Sequence, residues 1–136
     1  MVKVSVSKQS SYPVSATVVK KRLSSFLTKQ GIVSDAEVSV AIVGEKKMME
    51  LGKKYLDPSA PPGASKKLHN VFSFTPNETK ANFVYPPDGI IHLGEIVVCY
   101  PLAVREAGEE NVLINDRICE LVEHGALHLL GIHHTE

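Results

Sequence analysis

An α+β domain, with a small mixed sheet of about four strands packed with helices, is what the hydrophobic patterning of this chain predicts. One observation is alternation: Val2, Val4 and Val6 alternate with Lys3, Ser5 and Ser7, and Val38, Val40 and Ile42 with Ser39 and Ala41. That is the period of a strand with one buried face. A second is the spacing of apolar residues by three and four in the segments between, the period of a helix lying on a core. A third is order, which reads strand, helix, strand, helix, two strands and two helices, with the last helix packed on the sheet.

Taken in order, the first strand is short, and Pro13 is expected to open the first helix, whose first turn does not use the N–H that proline lacks. Val18, Val19, Leu23, Phe26 and Leu27 form its apolar stripe up to Gly31, and Lys20, Lys21 and Arg22 read as a solvated face. A second strand covers residues 37–43 and stops at Gly44. Residues 45–56 make a second helix, with Met48, Leu51 and Tyr55 on one side and Lys46, Lys47, Lys53 and Lys54 on others. The loop DPSAPPGASKK follows, its three prolines and one glycine forbidding regular structure.

The run NVFSF at residues 70–74 is a third strand, and Ile90, Ile91, Leu93, Ile96, Val97 and Val98 mark a fourth. Gly94 interrupts that run, which predicts a bulge or a close approach of backbone. Pro101 starts a helix that is expected to end near Gly108. Asn111 or Asn115 is the expected cap of the last helix, whose Ile114, Ile118, Leu121, Val122 and Leu129 face the core.

With 136 residues, 43% of them hydrophobic and 22% charged, the chain has apolar mass for one core, so residues 1–136 are expected to form a single domain. Fifteen basic and fifteen acidic residues leave no net charge, hence no global field toward nucleic acid or lipid; an RNA partner would need a local patch. No stretch approaches the length of a membrane helix, and the N-terminus lacks the pattern of a secretory signal, which predicts a cytoplasmic protein without a membrane partner. Cys99 and Cys119 lie in apolar segments, not in close pairs, and are expected to be buried, inert thiols.

The chemistry is concentrated at the end of the chain, where four of the six histidines lie. His124 and His128 are four apart, so on a helix their imidazoles point at one spot. Gly131 suits the left-handed conformation that ends helices, after which the chain can turn back and bring His134 round to the first two. Three neutral imidazoles with a fourth direction open suit a catalytic zinc, one per chain. The plain alternatives are a helix-surface or core cluster without metal, or the remnant of a purification tag, against which the interleaved Leu127, Leu129 and Leu130 speak. His133 competes with His134 for the role of third ligand.

The spacing also follows the metzincin peptidase pattern H-E-x-x-H-x-x-G-x-x-H, in a zincin-like helix, except that Gly125 stands where the peptidases carry the glutamate base. Glu123 is no substitute, because one residue lies about 100° round the helix. No catalytic side chain is identified beyond the ligands, and the expected nucleophile is a zinc-activated water or a ribose 2′-hydroxyl.

His124, Gly125, His128, Gly131 and His134 together match the H-G-x-x-H-x-x-G-x-x-H motif of the YbeY metal-dependent endoribonucleases, which the chain resembles over roughly residues 30–134. Asn70, Val71, Phe72, Ser73 and Phe74 are similar to that family's D-V-L-S-F segment, and Leu93, Gly94, Glu95 and Ile96 to its L-G-D-I strand. The resemblance implies one zinc on His124, His128 and His134, a cleft beside the NVFSF strand, and cleavage of single-stranded RNA in ribosomal RNA maturation and ribosome quality control. Partners would then be ribosomal RNA, the small ribosomal subunit and its assembly factors. The chain departs from the family at Leu56, where an arginine is usual, at Asn70 for aspartate, at His133 for aspartate, and in stopping two residues after His134. Leu56 keeps open a second reading, a metal-binding ribosome-assembly factor with weak or no catalysis; a metallopeptidase is a third, disfavoured by Gly125.

Overall fold

A computed structural model describes residues 2–55, 69–75 and 90–131. Its elements follow the expected order: β1 (Val2–Lys8), α1 (Ala16–Lys29), β2 (Ala36–Val43), α2 (Glu45–Tyr55), β3 (Val71–Phe74), β4 (Ile91–Cys99), α3 (Tyr100–Glu110) and α4 (Ile114–Leu129). The four strands form one mixed sheet in the order β1-β2-β4-β3, with β1, β2 and β4 parallel and β3 antiparallel to β4.

Helices on both faces explain why β4 ends in an unbroken apolar run. Ile96 and Val98 join Val4, Val38 and Val40 in the core shared with α1 and α4. Val97 and Cys99 point the other way, into a smaller cluster with Met48 of α2 and with Phe72 and Phe74. A strand covered on both sides needs apolar residues at every position, whereas the alternation in β1 marks a sheet edge with one wet face.

The bulge expected at Gly94 is present. Glu37 pairs with His92 but Val38 with Gly94, so Leu93 is the extra residue. Gly94 has φ +134°, and a Cβ there would stand 2.1 Å from the carbonyl oxygen of Phe74. Only glycine lets β4 pass β3 at that distance.

Four local expectations are corrected. The first helix begins at Ala16, three residues past Pro13, because the Ser15 hydroxyl accepts the Val18 N–H at 3.2 Å and caps it. Val18 is exposed, leaving Val19, Leu23 and Leu27 as the buried stripe. The third helix runs through Gly108 to Glu110, and Asn111, at φ 56°, is the residue that turns left-handed to end it. The last helix starts after Leu113 without a side-chain cap, while Asn115 instead accepts the Ser15 N–H at 3.1 Å, tying α4 to the start of α1. Asparagine tolerates left-handed backbone and accepts hydrogen bonds equally well, so its presence alone does not tell which use prevails.

Candidate metal centre

α4 lies across β3 and β4 with Ile118, Leu121, Val122, Gly125 and Ala126 buried, which leaves His124 and His128 on the exposed side. Their Nε2 atoms are 3.3 Å apart, with ring centroids 4.9 Å apart and planes at 72°. Two tetrahedral ligands about 2.0–2.1 Å from one zinc stand about 3.3–3.4 Å from each other, so the pair fits that ion. The same separation lets one neutral ring donate to the other, so the distance fits a metal without requiring one. His128 sits in the last turn of α4, where unpaired carbonyls favour a cation.

Gly131 has φ +77° and its N–H donates to the His128 carbonyl at 3.0 Å, closing the helix as expected. His133 and His134 lie beyond the described residues, as does Leu56. Among the described residues no group of three or more metal-ligating side chains converges. The histidine pair is thus brought together, and the third ligand rests on the sequence.

The pair faces a cleft of about 380 Å³ between α4 and residues 69–73. Gly125 forms part of its floor. A Cβ on Gly125 would come within 2.8 Å of Ile96 Cγ2 and 3.4 Å of Val71 Cγ2, so this position has no room for the glutamate of a peptidase. Glu123 is engaged elsewhere: its carboxylate accepts from Arg22 Nε at 3.0 Å, which raises the Arg22 pKa and joins α4 to α1. Arg22 therefore leaves the solvated face assigned to it, while Lys20 and Lys21 remain exposed.

Three residues near the cleft, His69, Glu106 and Arg117, carry no sequence signal of their own, and the partner of Asn70 is not legible either. His69 lines it beside Phe72, with ring centroids 5.0 Å apart. Asn70 donates through Nδ2 to both oxygens of Glu106, at 3.2 and 3.4 Å. Arg117 in turn donates to Glu106 Oε1 through Nε at 3.0 Å and Nη2 at 2.9 Å. A helical stripe predicts buried faces but not which polar residues meet across two helices, so nothing in the sequence singles out Glu106 and Arg117.

The family model described as Endoribonuclease YbeY matches residues 4–136. The chain belongs to the YbeY family. Among curated relatives named Endoribonuclease YbeY, one from Dehalococcoides mccartyi strain BAV1 is 35% identical over 130 residues, 90% of this chain and 77% of that protein. Others from Moorella thermoacetica and Roseiflexus castenholzii are 31% and 30% identical, covering 93% and 98% of this chain and 80% and 79% of theirs. The YbeY match begins at residue 4, so it takes in the β1–α1 unit that the histidine motif and strand segments did not reach. Cys99 and Cys119 are free and buried, as expected, and no described helix is long and apolar enough to cross a membrane.

Proposed function

We propose that this protein is a zinc-dependent endoribonuclease that cleaves single-stranded RNA in the cytoplasm, in ribosomal RNA maturation and ribosome quality control. The observation that carries the reading is the His124 and His128 pair, 3.3 Å apart at Nε2, opening on a cleft beside β3 in a chain of the YbeY family. The proposed ligands are His124, His128 and His134, a set of neutral imidazoles suited to zinc over oxygen-seeking ions. What zinc supplies when bound is Lewis acidity toward a phosphoryl oxygen and a water acidic enough to act as a nucleophile near neutral pH. The chain's own part is to orient the strand and limit water. A cleft of about 380 Å³ suits one splayed nucleotide, which a single strand offers freely and a duplex only after unstacking.

Leu56, in place of the family's arginine, supports a second reading, a ribosome-assembly factor that binds metal and RNA with little turnover. One experiment separates the readings: metal content of the purified protein, then incubation with single-stranded RNA and with a peptide mixture, beside His128→Ala. Zinc near one per chain and RNA cleavage lost in the variant are expected. Zinc and RNA binding without cleavage would favour the assembly factor, and peptide cleavage would overturn both.

A further inference from the structure

The polar chain from Arg117 to the cleft has a direction. A carboxylate can only accept, so the contacts of 3.2 and 3.4 Å from Asn70 to Glu106 must come from the amide NH₂, which fixes the orientation of that side chain. Arg117 locks Glu106 in turn by two charge-assisted bonds to Oε1, at 3.0 and 2.9 Å. The backbone of Asn70 is held as well, its carbonyl accepting the Cys99 N–H at 3.0 Å. Asn70 Oδ1 is left over. It accepts no hydrogen bond among the described residues, no side-chain polar atom there is both buried and unpartnered, and Asn70 is a wall of the cleft that holds His124 and His128.

We propose that Asn70 Oδ1 is the acceptor that reads a ribose 2′-hydroxyl of the strand in the cleft, with Glu106 and Arg117 as positioning residues that keep the oxygen, not the NH₂, turned to the substrate. This rests on the reading that the cleft takes RNA. The 2′-hydroxyl is the donor that RNA has and DNA lacks, and a fixed acceptor whose own NH₂ is already engaged recognises that difference at little entropic cost.

The test compares binding of a single-stranded RNA oligonucleotide with that of the same sequence carrying 2′-fluoro sugars, which keep the sugar pucker and lose the donor. Intact strand is verified after each titration. Wild type should prefer RNA by about fivefold to tenfold, the range of one hydrogen bond. Asn70→Ala should bind both probes alike. Glu106→Gln is the sharper variant: its Oε1 stays on Arg117, its new NH₂ replaces the oxygen that takes the shorter bond from Asn70, and a flip of the Asn70 amide, which presents NH₂ to the cleft, is then favoured. That variant should lower the preference for RNA while its affinity for the 2′-fluoro strand holds, which general loosening of the cleft would not produce; its melting temperature should fall, because the charge that Arg117 pairs with is gone. If wild type binds neither probe, the RNA reading falls and this inference with it. If wild type binds both equally, or if the variants keep the preference, the inference alone is overturned.

Discussion

Gly125 and Ile96 set how closely the histidine helix lies on the sheet: a Cβ on Gly125 would be 2.8 Å from Ile96 Cγ2. Ile96 is fully buried at the middle of β4 and β-branched, so it cannot swing aside. The glycine that removes a peptidase base is thus also the contact that brings His124 and His128 down to the cleft.

Gly125→Ala should therefore destabilise the protein although alanine is the better helix former. Helix propensity returns about 1 kcal/mol, and overpacking against a rigid neighbour costs about 1–3 kcal/mol. Urea unfolding should show a lower midpoint with unchanged slope, and the loss should shrink in an Ile96→Ala background. Equal losses in both backgrounds would mean that the two residues do not press on each other.

Gly94→Ala should be worse. Its backbone is at φ +134° and the nearest atom, the Phe74 carbonyl oxygen at 2.1 Å, belongs to main chain that cannot yield without breaking the β3–β4 pair. Strain alone is about 1–3 kcal/mol, and the lost pairing adds to it. Low soluble yield or early exchange of β3 and β4 amides is the expected result; a stable variant with native exchange would contradict it.

Zinc should raise the melting temperature of metal-stripped protein, by about 2.7 kcal/mol of stabilisation at a hundredfold excess over Kd. Because the ion takes neutral imidazole, uptake should weaken as a solution is acidified through the range where free imidazole protonates, about 6.5. His124→Ala and His128→Ala should abolish the effect. Of the two residues beyond the described part, His134→Ala should lower affinity more than His133→Ala, and the reverse order would reassign the third ligand.

Burial pushes both thiols up, Cys99 and Cys119 alike, with Arg22 drawing Cys119 partly back. A thiol whose folded pKa is raised keeps its full stabilising share below the unfolded value, about 8.5. That share is lost as pH rises through the folded value, because the unfolded chain ionises first. Stability should decline in alkaline solution above that point, and less steeply in Cys99→Ala after allowance for the cavity. At neutral pH a thiol reagent should label the native protein far more slowly than the unfolded one.

The sequence by itself determined what repeats at short range. The alternation of β1 and β2, the stripe of Val19, Leu23 and Leu27, the bulge at Gly94, the stop at Gly131 and the juxtaposition of His124 with His128 all follow from backbone periods of two and 3.6 or from the freedom of glycine. Family membership was legible for the same reason, since the histidine motif is a local spacing. Tertiary structure decided the polar partnerships. Arg22 finds Glu123 101 residues away, Asn70 finds Glu106 36 away, and Asn115 serves Ser15 rather than its own helix. No periodicity encodes such pairs: the first and third depend on α1 packing against α4, and the second on β3 running antiparallel along β4, which leads into α3; many surface charges present the same pattern until that arrangement selects among them.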